Sequence, residues 1–321
     1  MNKKHRVLFY ALILLTVLAV FLTQKSRPRE YSVTLTDYLD TVCQITIVSD
    51  KKDLLYNNCV DYIKQMDSEL SANNEESALY KLNSGEDIKL SSNAESLIDF
   101  GEEFGKDNPE LFSIYLNPLI RAWDIKNNSG TIPDITEAMQ AVEAKNSINL
   151  GAIAKGFITD RLVSKLSEEG VSSALINLGG NAYALGKKQT GENWKIGIQD
   201  PKNENELIGV ITAENLAVVT SGDYQRYFEK DGIRYHHILN PVTGYPANSG
   251  LHSVTVISKN ATLADALSTA IFVAGVEKGK ELLKKYDVQG IFVTDDTIYF
   301  SKSLENIFRQ SAFAYKYEFI L

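Results

Sequence analysis

ATLADALSTAIF, residues 261–272, reads as a helix with almost no solvent face, because Leu263, Ala266, Leu267, Ala270, Ile271 and Phe272 occupy most of its turns. Yet it carries Asp265, Ser268 and Thr269. At a rise of about 1.5 Å and 3.6 residues per turn, positions i, i+3 and i+4 share one face. A carboxylate and two hydroxyls are thus aimed the same way out of an apolar helix. The plain explanation is a helix cap or a partner for the helix dipole, since Asp265 stands near the helix start. A site that binds something is the alternative.

Working outward, strand and helix patterns mix. Alternating or continuous apolar runs predict strands at 31–36, 42–48, up to Leu178, 194–198, 208–212, 216–220, 233–239, 252–258, IFVT and about 313–319. Helical periodicity covers about 52–71, 93–106, 113–122 and 134–144, a run at 148–166 passes from a short strand through Gly151 into a helix, and the opening helix is followed by a second at 276–286. Gly179-Gly180-Asn181 reads as a turn. The order lacks the regular strand–helix rhythm of a Rossmann sheet, so the expected class is α+β (mixed α/β), one domain of two lobes.

The first thirty residues stand apart. MNKKHR is basic, and residues 7–22, VLFYALILLTVLAVFL, carry no charge. That length sits at the lower edge of a membrane span and above a usual signal-peptide core, and no small-residue cleavage site follows. We expect residues 1–30 to be an uncleaved anchor with its linker, and residues 31–321 to form the domain. A short basic N-terminus before a large domain normally places that domain outside the cytoplasm. Removing residues 1–30 leaves 27 basic against 40 acidic residues, a net charge of −13. Such a domain has no basic footprint for nucleic acid. Cys43 and Cys59 lie in a strand-like and a helix-like stretch without metal spacing, and both are expected to be buried and reduced.

Two further stretches are polar where structure alone would not ask for it. NLGAIAKGF, residues 149–157, runs through Gly151 into a helix bearing Lys155 and Gly156. It lacks the Walker spacing, but free N–H groups at a helix start beside a lysine suit an anion. An ordinary turn with a solvated lysine fits it too. Only four histidines exist in the chain, and two are the adjacent His236 and His237 of HHILNPVTGYP, residues 236–246. Strand neighbours face opposite sides, so one of the two should point inward. Such a histidine is usually a hydrogen-bonded core residue, although Thr220, Ser221 and Arg226 upstream make this one suspect.

Taken in order, NNEESALYKLN (73–83), PLIRAW (118–123), NLGAIAKGF, LINLGGN (175–181), TSGDYQRY (220–227), HHILNPVTGYP and DALSTAIFVAG (265–275) resemble the ApbE-type FAD:protein FMN transferases. The resemblance covers about residues 35–300. It implies one ApbE-like domain with the flavin site between its lobes. It further implies an Mg²⁺-dependent enzyme, a transferase of a phosphorus-containing group. FMN would pass from FAD, the substrate, to a threonine of an extracytoplasmic acceptor with an FMN-binding domain, through a phosphoester bond, with release of AMP. Mg²⁺ would sit on Asp265, Thr269 and the Ala152 carbonyl, with Ser268 adjacent. Lys155, His237 and Asp265 would carry the chemistry, and Asn73, Leu111, Phe112, Ser113, Asn149, Lys155, His237 and Leu239 would line the flavin.

Departures from the family pattern qualify these expectations. Asn73 stands where many members carry an aromatic that stacks on the flavin ring. Asn149 and Ser113 replace carboxylates, Ser113 within SIYLNPL. The alternatives implied are an Mg²⁺-dependent FAD pyrophosphatase giving FMN and AMP, or a non-catalytic flavin-binding surface protein.

Overall fold

The computed structural model describes residues 28–320 apart from Ser129 and Phe313. The apolar segment expected to be an anchor lies outside the described residues. Among those described, no helix is long and apolar enough to cross a membrane.

A nine-stranded sheet organises the described residues. Its order is Arg29–Tyr38, Thr41–Ser49, Ala174–Leu178, Asn181–Leu185, Leu216–Gly222, Ser253–Ser258, Gln289–Val293, Thr297–Phe300 and Lys316–Phe319. Neighbours run antiparallel except the last pair, which is parallel. This is the mixed class expected, and hairpins account for much of it. Gly179 and Gly180 take φ of 60° and 93° between the paired Leu178 and Asn181. Two positive φ values in a two-residue loop make the tight turn whose twist matches the strands it joins.

Both sheet faces are buried, and strand alternation divides the side chains between them. Ile45, Ile176, Val219 and Val256 join a large cluster with Ile63, Met66, Leu97, Ile158, Leu162, Leu267 and Ile271 of the helices. Val218, Ile257 and Ile291 face the other way. They meet Trp194, Ile198, Ile211 and Phe308 of a three-stranded sheet built from Trp194–Asp200, Asn203–Ala213 and Phe308–Gln310. A third, small cluster of Leu119, Trp123, Ile135, Phe228 and Leu239 makes a separate lobe beside the large core. Cys43 and Cys59 are free and buried, as expected.

The structure departs from the sequence pattern where bonds from residues distant in sequence capture backbone. The expected helix over 113–122 is Asn117–Trp123, with Pro118 in its first turn. Before it, Asn149 N–H donates to the Ile114 carbonyl at 2.7 Å and holds that segment out of the helix. The expected run from 148 becomes helical only at Ala154. Asn83 bonds both the N–H and the carbonyl of Ile148, and Asn149 Oδ1 accepts Gly151 N–H at 2.9 Å. Local side-chain bonds of this kind compete with helix formation. The opening helix spans Ala261–Lys285, but Gly275 breaks it with φ 81° and ψ −179°, which separates the two helices expected there. The strands Asn181–Leu185, Tyr227–Lys230, Thr297–Phe300 and Phe308–Gln310 were not legible in the pattern.

One clamp joins distant turns on the sheet. His252 Nδ1 meets Asp223 Oδ2 at 2.8 Å and its Nε2 meets Asp295 Oδ1 at 3.0 Å. Carboxylates accept, so both ring nitrogens carry protons when both bonds form. The bond to Asp223 is the largest cause holding the imidazole pKa above 6.5; burial opposes it and Asp295 reinforces it. A raised folded-state pKa stabilises fully below the unfolded value, and that stabilisation is lost as pH rises through the folded value. His252→Gln should therefore lower the melting temperature clearly at pH 6 and much less at pH 9. Thermal unfolding of both proteins across that range checks it, and an equal deficit at both ends would refute the clamp.

Candidate active site at a helix crossing

The helices Ala154–Glu168 and Ala261–Lys285 cross at Gly156. A Cβ added there would stand 2.3 Å from the Ala261 carbonyl oxygen and 2.8 Å from Asp265 Cβ, so only glycine permits the approach. One turn on, Asp160 accepts the N–H groups of Ala261 at 2.9 Å and Thr262 at 2.8 Å, plus the Thr262 hydroxyl at 2.6 Å. Asn260 accepts Leu263 N–H at 2.7 Å. The N-terminus of the long helix is thus capped twice without Asp265, which removes the capping explanation for that residue.

Asp265 is instead buried within the crossing, 3% exposed. Its Oδ2 accepts Gly156 N–H at 2.9 Å. Burial pushes its pKa up, against the Lys155 charge, the Gly156 N–H and the Asn181 side chain, which pull it down. Gly156 is the third residue of its helix, so its N–H has no helical acceptor and the Asp265 carboxylate supplies one. Lys155, half-buried at the same helix start, donates to the Gly151 carbonyl at 3.3 Å.

The hydroxyls next to Asp265 are ordered by elimination. Ser268 Oγ donates to the Asp265 carbonyl at 2.9 Å, so at 2.8 Å it accepts from Ser221 Oγ. Ser221, having spent its proton, can only accept from Thr269 Oγ1 at 3.4 Å. Fully buried Ser268 is a brace, whereas partly exposed Thr269 keeps both lone pairs for something else.

The two histidines divide at a strand end: the strand expected over 233–239 stops at His236, and His237 lies in the bend after it. His236 is buried edge-on to Phe272 of the long helix, donating from Nε2 to the Ala247 carbonyl at 2.9 Å and accepting Ile238 N–H on Nδ1 at 3.2 Å. It is the satisfied core histidine. His237 Nδ1 donates to the Arg226 carbonyl at 3.4 Å, which leaves Nε2 with a lone pair. Burial, then the charges of Arg226, His236 and Lys155, depress its pKa to about 3, so the ring is neutral at physiological pH. Arg226 in turn donates to the Asp40 carbonyl at 2.6 Å. Lys126 holds the Asp40 carboxyl below its usual range, with smaller contributions from Arg226 and the Asn73 side chain.

The ApbE family model matches residues 39–292. The FAD:protein FMN transferase of Treponema pallidum is 32% identical over 314 residues, 85% of this chain and 86% of that protein. A Klebsiella pneumoniae protein of the same name is 34% identical over 267 residues, 75% of this chain and 83% of its own. The chain belongs to the ApbE family. The crystal structure of the ApbE protein of Thermotoga maritima matches with a TM-score of 0.78 and 30% identity, over 88% of this chain and all of that one. The flavin transferase ApbE of Vibrio cholerae shares the fold, with a TM-score of 0.76 at 21% identity over 87% of this chain and 99% of its own.

Against the expectations for an ApbE protein, Asp265, Ser268, Thr269, Ala152 and Lys155 gather at one helix crossing, and the Lys155 charge reaches His237. Asn149 braces the Gly151 turn to buried Asn117, its Nδ2 donating to Asn117 Oδ1 at 3.2 Å. Ser113 Oγ accepts Tyr115 N–H at 3.1 Å. Leu239 packs in the small lobe. Leu111 borders a different cleft with Lys278, Leu282 and Lys285, and Phe112 packs edge-on to Phe104. Sequence reasoning missed Asp160, Asn181 and the hydroxyl relay through Ser221. Asp160 was findable, because it lies four residues after Gly156 and so on the same helix face.

Cap and core carboxylate should separate in a stability measurement. Asp160→Ala removes acceptors from two helix-end N–H groups and should cost about 0.5–2 kcal/mol. Asp265→Asn keeps an acceptor for Gly156 and removes a buried charge, so it should cost nothing measurable. Urea unfolding of the two variants decides the roles, and a reversed order would return Asp265 to the cap.

Proposed function

We propose that this ApbE-family chain is an Mg²⁺-dependent FAD:protein FMN transferase that joins FMN to a threonine of an acceptor protein and releases AMP. The observation that carries this reading is the Asp265 crossing. One carboxylate, the lone pairs of Thr269 and, as the family resemblance implies, the Ala152 carbonyl form an incomplete set of hard oxygen donors. Among the described residues, no three His, Cys, Asp or Glu side chains converge as metal ligands. That donor set fits Mg²⁺, which favours one or two carboxylates together with waters and substrate phosphate. Bound there, the cation would neutralise charge on the diphosphate of FAD.

The protein's own groups then position and protect. In the reaction, the acceptor hydroxyl oxygen bonds to the FMN phosphorus, and the bond from that phosphorus to the bridging oxygen breaks. The bridging oxygen leaves on AMP. Lys155 supplies positive charge at the helix start, where the N–H groups of Gly151, Ile153, Ala154 and Gly156 are already engaged. Neutral His237 cannot act as a cation toward phosphate. In this state it is also a weak base; the negative charge of a bound diphosphate would raise its basicity and let the free Nε2 accept the proton that the attacking hydroxyl sheds.

Residues 7–22 are proposed to anchor the chain with its domain outside the cytoplasm. There it would meet an acceptor carrying an FMN-binding domain. FAD hydrolysis by water is the second reading. What favours it is Asn73, which turns its amide to Asp40 and offers no flat face for a flavin ring.

Incubating the protein with FAD and Mg²⁺, with and without a threonine-containing acceptor, separates the readings. Transfer gives AMP together with flavin-labelled acceptor; hydrolysis gives AMP and free FMN either way. Asp265→Asn should abolish AMP release while the fold persists, and AMP release that survives this change would refute the metal assignment. His237→Ala should lower kcat by about 100-fold or more while KM for FAD changes little, as expected of a general base. A pure rise in KM would make His237 a binding residue.

A further inference from the structure

Asn181 is 2% exposed, and its Nδ2 makes no hydrogen bond within the protein. Buried amides without partners are rare in native proteins and call for a reason. Its place in the sheet supplies one. Asn181 opens the strand Asn181–Leu185, after the Gly179-Gly180 turn, and pairs across to Val219. Tyr183, two residues on, and Val219 both belong to the helix-side core, so alternation puts Asn181 on the helix-facing side. Ser221, two residues beyond Val219, shares that face, as its bond to Ser268 shows. The Asn181 amide therefore stands under the turn that bears Asp265. The carboxylate is close enough to feel it, although no well-formed bond joins them.

An apolar residue would pack this position without cost, and the chain places an unfinished donor there instead. Gly156 N–H already holds Asp265 Oδ2, which leaves Oδ1 as the oxygen free for a cation. A second donor to the carboxylate would stop its rotation and fix where Oδ1 points. We infer that Asn181 is a positioning residue for Asp265, its amide completing its hydrogen bond to the carboxylate when a divalent cation is bound. The inference rests on the Mg²⁺ reading above and adds to it a group that touches neither substrate nor cation.

The test is Mn²⁺ titration of the purified full-length chain, followed by electron paramagnetic resonance, together with its melting temperature without metal. Asn181→Leu, near in volume, should weaken Mn²⁺ binding about 10- to 100-fold, the range found for groups that orient metal ligands. Its metal-free melting temperature should stay the same or rise, because an unpaired buried amide is gone. Asn181→Ala should show the same loss of affinity if leucine proves too bulky. Affinity within twofold of the original in both variants would overturn the inference. So would a lower metal-free melting temperature in both, since the amide would then belong to the resting fold. Asp265→Ala is the arm that tests the underlying reading: undiminished Mn²⁺ binding there would sink the metal site itself, whatever Asn181 does.

Discussion

The close approach of two helices at Gly156 is the contact from which the rest of the site follows. With no Cβ in the way, the Ala261 carbonyl and the Asp265 side chain come within touching distance of the neighbouring backbone. Gly156 N–H, a helix-start donor with no acceptor in its own helix, then reaches the Asp265 carboxylate. One residue choice thereby seats the carboxylate beside the helix start that carries Lys155. Asp160 locks the arrangement from the same helix, since its two oxygens take the N–H groups of Ala261 and Thr262. The crossing is held by hydrogen bonds at fixed geometry as well as by apolar packing, which is what a site needing sub-ångström placement requires.

Burial at such a crossing has an electrostatic consequence. A carboxylate removed from water resists ionisation, and Asp265 shows that resistance in its raised pKa. A nearby lysine and one backbone N–H offset part of it, and the rest is carried by the fold. Proteins accept such costs where function needs a strong local charge, and the large apolar cluster between helices and sheet is what makes it bearable here.

How much of this was legible in the sequence depended on whether a residue acts locally or across the fold. The helical face of Asp265, Ser268 and Thr269 follows from spacing alone, and the structure keeps it. Strand alternation predicts that His236 and His237 part, although the strand itself ends at His236 and the bend after it places His237. The Gly179-Gly180 turn and the break at Gly275 are local chemistry and were visible too. Residues 113–116 carry helical periodicity but are held out of the helix by the main-chain bond from Asn149 N–H to the Ile114 carbonyl, and the segment before Ala154 is held at Ile148 by the Asn83 side chain. No periodicity records a partner 65 residues away. For the same reason the cap supplied by Asp160 to a helix a hundred residues later made Asp265 look like the only candidate for that task. The lining role of Leu111 and Phe112 rests on resemblance alone, and their packing neither requires nor explains it.

The segment Ser221–Arg226 connects what would otherwise be separate features. Ser221 reaches the hydroxyls of the long helix, Asp223 reaches His252 and Arg234, and Arg226 reaches the Asp40 turn while its carbonyl orients His237. Two histidines attached to this one segment are tuned in opposite directions. His252 lies between two carboxylates that raise its pKa, whereas His237 lies among cationic groups in a desolvated place that lowers its own. The difference is set by neighbours and not by the ring. The bond from His252 therefore fixes the segment at Asp223, three residues before the carbonyl that fixes the His237 tautomer. The two histidines share one short stretch of backbone, so the orientation of the free Nε2 of His237 depends on a clamp on the far side of that stretch.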